Sequence, residues 1–419
     1  MRPTPLCRPA RPIARDLRHA AGGAVFSVDQ FLQLPSGNPY ANVGAMTRPI
    51  PSLIASLALL PSLGSCSDAP ARRTPLTQEA LAAVSDNPGA PTRQLAQEVD
   101  DLFTQPEIGE TRALVVMQGG KIAAERYAPE YTAETRFVSW SMAKTVTAVM
   151  IGMLVTDGRL RLDDSPPIAR WQRPGDPRGE ITLRQLLQMR SGLRHTEAGD
   201  PPYQSSEVRM LFLDGRGDMA DWATAQPLEA EPGRKFEYSS NTSVILADIA
   251  AQVLTNSSDP ETRRRAVDDF LQNRLFSPLG MDSMVPEYDA SGTLIGGSLI
   301  HGTARDWAKF GEFLRNGGSV RGAQIIPRKW IEFMKSPSPR AAFYGAHTWL
   351  NRDSGIDRDS NLRDRGPDTM FAAIGHMGQY LLVSPAQKLT IVRLGHSDTE
   401  QRTKLIPQLS DIVELYPER

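Results

Sequence analysis

Ser141 and Lys144 stand three positions apart in the run SMAKTVTAVM, at the head of an otherwise uncharged apolar segment. On a helix that spacing sets both side chains on one face, about 5–6 Å apart at Cβ. A serine hydroxyl is a weak nucleophile at neutral pH and needs a base beside it. A lysine becomes such a base when burial and neighbouring positive charge lower its pKa. The partial positive charge of a helix N-terminus acts in the same direction, disfavouring an ammonium and favouring an alkoxide. An ammonium buried without a partner or a use is costly, so the pair predicts a serine nucleophile activated by a lysine. The four-residue pattern also recurs by chance in a chain this long, and its weight comes from its surroundings.

Other chemistries lack their residues. The chain has no G-x-S-x-G elbow, no H-E-x-x-H, no phosphate-binding Walker loop and no dinucleotide fingerprint. Its six histidines are scattered without metal-ligand spacing, and its two cysteines, Cys7 and Cys66, both precede the expected folded body. Neither a metal nor a cofactor is therefore expected. A formal net charge of -1 gives no global field for recruiting nucleic acid or anionic membrane. The basic run Arg263-Arg264-Arg265 is followed by Asp268 and Asp269, the pattern of a solvated helix face. Hydrophobic content of 40% and charged content of 23% are those of an ordinary globular protein.

The elements that must position Ser141 follow from the patterning. After a short helix near 94–103, RALVVMQGGKIAAERYA predicts a hairpin with strands near 113–118 and 121–127, turned at Gly119-Gly120. The helix opened by Ser141 is expected to run to about Thr156, where Asp157-Gly158 ends it. Helical patterns separated by Pro/Gly loops follow to about 285, and the closing region carries a second hairpin in HMGQYLLVSPAQKLTIVRLG and a last helix in KLIPQLSDIVELY. Strands thus come from both ends of the body. This order predicts an α+β fold: an antiparallel sheet (about 93–140 and 286–419) flanked by helices, with an inserted helical part (about 141–285).

Three ordered segments carry a family resemblance. VSWSMAKTVTAVMIGMLVTDGRLRLDD resembles the nucleophile region of the serine β-lactamase and penicillin-binding superfamily, in its class C-type branch of esterases, D-aminopeptidases and aminohexanoate-dimer hydrolases. PGRKFEYSSNTSVILADIA is similar to the tyrosine-containing second motif, with Tyr238 as the tyrosine and Ser240 in its third position. IGHMGQYLLVSP is similar to the third motif, on a strand beside the site, through His376-Met377-Gly378. The resemblance covers about residues 95–415. It implies a β-lactamase/transpeptidase-like fold and a cofactor-free serine hydrolase working through an acyl-enzyme. In that mechanism Tyr238 shares the proton traffic of Ser141 and Lys144, and the backbone N–H groups of Ser141 and Gln379 form the oxyanion hole. Gly378 would let the strand approach a substrate closely.

Departures from the pattern bear on the substrate. The third motif has His376 where β-lactamases and D,D-peptidases carry a lysine, and a histidine is mostly neutral at pH 7. Small esters or amides are therefore expected ahead of carboxylate-bearing ligands, with a β-lactamase or D,D-peptidase as the alternative. A non-catalytic envelope binding protein is the further alternative. The second motif has Tyr-Ser-Ser in place of Tyr-x-Asn, with Asn241 one place further on. Glu197 and Tyr203 fall where aminohexanoate hydrolases carry substrate-contacting acidic and tyrosine residues; an exposed loop is the plainer account of both.

Residues 1–66 are expected to be an address. From Met46 the chain runs through an arginine, a short apolar stretch and small residues, the layout of a secretory signal. Leu63-Gly64-Ser65-Cys66 resembles the bacterial lipobox, which implies lipidation of Cys66, membrane attachment and a periplasmic place in the cell envelope. Residues 67–92, rich in Pro, Ala, Ser and Asp, are expected to be a tether, and 93–419 the hydrolase domain.

Overall fold

Alternating burial along two distant segments builds the centre of the molecule. In the computed structural model, which describes residues 76–353, 362 and 365–418, the predicted first hairpin forms from β1 (Glu110–Gln118) and β2 (Lys121–Tyr127). The C-terminal region supplies β3 (Trp349–Leu350), β4 (Phe371–Gly375), β5 (Gln379–Ser384) and β6 (Leu389–His396). The sheet order is β2-β1-β6-β5-β4-β3, and its neighbouring strands pair antiparallel. β1 and β6 join the two ends of the body, from Glu110 opposite His396 to Gln118 opposite Leu389.

Successive side chains of a strand point to opposite faces, and here each face has its own core. Val115, Leu381, Val383 and Val392 pack with the helical part of the chain and with Trp307 and Phe310 of the helix Ala304–Arg315. Leu114, Val116, Tyr380, Leu382 and Ile391 face the other way, onto the helices Thr92–Thr104 and Thr399–Glu414. The result is the β-lactamase/transpeptidase-like α+β arrangement, with helices on both faces of the sheet and a helical portion in the middle of the chain.

Three expectations about local structure need correction. Residues 76–92 are not a free tether over their length: Gln78–Ala82 is helical, Ala80 is buried, and Val84 bridges Ala124 on the outer edge of β2. The Ser85 N–H donates to Ala123 O at 2.9 Å and the Glu125 N–H to Ala83 O at 2.8 Å, so this segment caps a sheet edge that would otherwise be open. Ser141 does not open an α-helix directly; it lies in a 3-10 turn, Trp140–Met142, and the α-helix runs Ala143–Thr156. His376-Met377-Gly378 is a tight turn between β4 and β5 rather than strand, because Met377 and Gly378 take positive φ of 58° and 79°. The signal segment, Cys66 and residues 67–75 of the tether lie outside the described residues. Among the described residues no helix is long and apolar enough to cross a membrane.

Candidate active site

A short strand leads into Ser141. Phe137–Val138 pairs with Ile300–Gly302, and the Ser139 N–H donates to Ile300 O at 3.0 Å, fixing the chain just before the turn. Trp140 then adopts φ 47°, a left-handed conformation uncommon for a bulky side chain. Such backbone costs energy and persists only where the surroundings impose it. It swings the chain from the strand into the helix Ala143–Thr156, whose residues from Ala143 to Leu154 are all buried. A helix that is apolar all round belongs in a core, and this one carries Lys144 in with it.

Lys144 is 1% exposed. Its Nζ donates to Ser141 Oγ at 2.8 Å, Ser240 Oγ at 2.7 Å and the Gly297 carbonyl at 2.9 Å, which occupies all three of its protons. Glu197 Oε1 lies slightly further off, at 3.5 Å. The Tyr238 ring lies 4.8 Å from the same nitrogen, with Tyr344 and Trp349 packed against the phenol at 5.8 and 5.0 Å. Burial pushes the Tyr238 hydroxyl well above the ordinary phenol range, the charge of Glu197 adds to this, and a hydrogen bond from Ser141 partly opposes it. The phenol is therefore neutral at rest.

Tyr238 and Ser240 flank the start of the helix Ser240–Leu254, capped by Ser239, whose Oγ accepts from the Thr242 N–H at 3.3 Å. Ser240 faces the lysine, whereas Asn241 turns away: its Nδ2 donates to Ser206 O at 3.4 Å and to Met210 Sδ at 3.2 Å. Ser240 thus occupies the lysine-facing place and Asn241 does not substitute for it. Behind them His347 ties the two helices together, its Nε2 at 2.9 Å from Ser243 Oγ and its carbonyl accepting from Thr145 Oγ1 at 2.8 Å. Burial pushes this imidazole down to about 3, so it is a neutral brace.

The structure draws Glu197 into the cluster and leaves Tyr203 outside it. Glu197 Oε2 accepts from the Ser240 N–H at 2.6 Å and its Oε1 from Ser240 Oγ at 2.6 Å. Tyr203 is 57% exposed on the turn Pro202–Gln204. Glu207, which the sequence reading missed, lies in the first turn of the helix Ser206–Phe212, with its Oε1 at 2.8 Å from Ser240 Oγ. Its one sequence signal is the N-cap Ser205 two places earlier, and that marks any helix start.

The third motif lines the site differently from expectation. His376 stands edge-on to Trp140, ring centres 5.4 Å apart, and burial pushes its imidazole down to about 4, leaving it uncharged. Gln379 is 3% exposed, and its side chain donates to the carbonyls of His376, Met377 and Gly395 at 3.0, 3.2 and 2.7 Å. Gly378 is likewise buried, its carbonyl accepting from Arg393 Nη1 at 2.9 Å. The Gln379 side chain and the Gly378 carbonyl thus brace the turn. Gly375, directly opposite Gln379 in the register, abuts the nucleophile turn: a Cβ there would fall 2.3 Å from Ser139 O. Among the described residues no group of His, Cys, Asp and Glu is arranged to hold a metal ion.

A serine turn, a lysine buried on the helix that follows it and a phenol just before a second helix, beside a sheet strand, form the geometry on which comparison with known proteins bears. The family model described as Beta-lactamase matches residues 110–413, from the first strand of the sheet to the last helix. The chain belongs to the β-lactamase family. Within it, a 6-aminohexanoate-dimer hydrolase of Paenarthrobacter ureafaciens is 26% identical over 316 residues, 72% of this chain and 76% of that enzyme. A family VIII carboxylesterase superposes with a TM-score of 0.54 at 16% identity, covering 77% of this chain and 96% of that one. A β-lactamase from Mycobacterium bovis gives 0.52 at 18% identity, covering 75% and 97%. These two structural likenesses establish the β-lactamase-family fold.

Proposed function

We propose that the protein is a serine hydrolase that cleaves small esters or amides through an acyl-enzyme on Ser141. The observation that carries this reading is the buried Lys144 Nζ at 2.8 Å from Ser141 Oγ, with the Tyr238 ring over the same nitrogen. In the first half-reaction Ser141 Oγ attacks the carbonyl carbon, and its proton passes to Lys144 once that amine is neutral. The carbonyl π pair moves to oxygen, which the backbone N–H groups of Ser141 and Gln379 would hold. Donors placed where that charge develops are each worth about 10²–10³ in rate. Collapse of the intermediate expels the alcohol or amine, which takes a proton from the Lys144–Tyr238 pair. Water then repeats the sequence on the acyl-enzyme, losing its proton to the same pair and releasing the acid.

Substrate class follows from the walls. His376 offers a neutral imidazole, and a hydrogen bond without charge assistance is roughly half as strong as one with it. Uncharged esters and amides suit this site better than ligands that need a fixed cation opposite a carboxylate. The names of the relatives, an aminohexanoate-dimer hydrolase and a carboxylesterase, support that choice. The test is fluorophosphonate labelling together with turnover of short-chain nitrophenyl esters and of nitrocefin. Wild-type protein should label and cleave the esters well ahead of nitrocefin, and Ser141→Ala should lose both activities while keeping its circular dichroism. Turnover retained by Ser141→Ala would remove the assignment.

A further inference from the structure

Ser240 Oγ has one hydrogen and two lone pairs, and three polar atoms crowd it. Lys144 Nζ is at 2.7 Å, Glu197 Oε1 at 2.6 Å and Glu207 Oε1 at 2.8 Å. The ammonium brings its own hydrogen. The hydroxyl hydrogen then serves one carboxylate oxygen, and the other oxygen faces Ser240 with lone pair against lone pair unless it carries a proton. The partners say which oxygen that is. Glu197 has the groups an anion needs: the Ser240 backbone N–H at 2.6 Å on Oε2 and the ammonium at 3.5 Å from Oε1. Glu207 has only weaker help, Ser298 Oγ at 3.5 Å.

We propose that Glu207 is held as a neutral carboxylic acid donating its proton to Ser240 Oγ, so that one carboxylate charge and not two stands beside Lys144 across Ser240. This deepens the hydrolase reading and rests on it. With Glu207 neutral, Lys144 faces one negative charge, and the three groups together are uncharged. With Glu207 ionised, two carboxylates would bracket the ammonium across Ser240. Glu207 touches no reacting atom and is a positioning residue, acting through Ser240 and Lys144.

The charged and titratable groups facing it are Glu197, Lys144 and Tyr238. Burial raises the Glu207 carboxyl well above the usual range, the neighbouring Glu197 raises it further, and Lys144 lowers it by a smaller amount. Tyr238 stays neutral over the same range, since its own hydroxyl is pushed well above 10. The sign follows. At neutral pH Glu207 keeps its proton, and that proton leaves as pH rises through its pKa.

The experiment is infrared difference spectroscopy of wild type and Glu207→Gln, in the full chain, from neutral to alkaline pH. Glutamine keeps the shape and a donor to Ser240 but has no carboxyl group. Wild type should show a carboxylic-acid carbonyl band at neutral pH that falls about tenfold one pH unit above its midpoint, and the variant should lack that band. A wild type without the band overturns the proposal, and so does a band that persists in Glu207→Gln. Where the variant does not fold, the wild-type spectrum decides alone, since absence of the band overturns the proposal. Loss of Ser141 labelling would strike the hydrolase reading instead, and the infrared band is independent of it.

Discussion

Gly375→Ala is the sharpest perturbation the structure offers outside the reacting groups. Gly375 has φ −115° and ψ 160°, extended backbone that alanine adopts without strain, so the substitution adds only a methyl group. That methyl would sit 2.3 Å from Ser139 O, 3.0 Å from Gln379 Cβ and 3.1 Å from Trp140 Cβ, where ordinary contact begins at 3.4 Å. Strand β4 and the nucleophile turn must therefore part by about 1.1 Å, and neither is a flexible side chain that can swing aside. Ser139 is tied to Ile300, and β4 is laddered to β5. A misplacement of about 1 Å costs roughly 10²-fold in rate, equivalent to about 2.7 kcal/mol of transition-state stabilisation. Overpacking should also lower stability by about 1–3 kcal/mol. Lys144 and Ser141 belong to one turn and one helix, so their mutual distance should survive. The expected result is a folded protein whose kcat for nitrophenyl esters falls about a hundredfold, the size of loss a 1 Å error produces. Kinetics, circular dichroism and a urea midpoint measure it together. Wild-type kcat in a folded Gly375→Ala protein would refute the claim that this strand edge defines the site.

Two further outcomes follow from the helix that carries the lysine. Lys144→Arg keeps the charge but installs a guanidinium that does not deprotonate, so ester turnover should drop by about 10²–10⁴, the share a positioned base supplies; steady-state kinetics would find the reasoning wrong if activity were retained. Gly152→Ala places a Cβ 2.2 Å from Trp330 Nε1, the indole nitrogen that donates to Ala148 O at 3.2 Å, so the gain in helix propensity of about 1 kcal/mol should be outweighed and urea unfolding should shift by a net loss of about 2 kcal/mol; a variant as stable as wild type would contradict the packing described.

Much of this site is local in sequence, and that part was legible. Ser141 and Lys144 meet because one turn of helix brings i and i+3 together, and Tyr238 precedes a serine-capped helix start of ordinary form. The first hairpin is announced by its Gly-Gly turn between strand-like runs. What escaped was non-local. Glu207 and Glu197 are ten positions apart in a loop-and-helix segment with no period, and only their convergence on Ser240 gives either a role. His376–Gly378 was expected to be strand, but two successive positive φ angles fold it into a turn. Such a turn is invisible to a pattern of residue types, because Met377 is not a residue that advertises a left-handed conformation. Residues 76–92 have the composition of a linker, yet a few apolar side chains, Ala80 and Val84 among them, suffice to dock them on the sheet edge.

The antiparallel union of β1 with β6 has a consequence for how the molecule comes into being. Arg393 donates to the Glu110 carbonyl across 283 positions of chain, and both belong to the middle of the sheet. Closing a loop of that length costs about 5 kcal/mol of chain entropy before neighbouring contacts offset it. The strand beside Ser141 is β4, and β4 is held by β5, which is held in turn by β6. A ribosome that has made the serine and the lysine has still made neither the wall they face nor the strand that anchors it. Hydrolytic competence is therefore a property of the finished chain, switched on only after the C-terminal hairpin arrives.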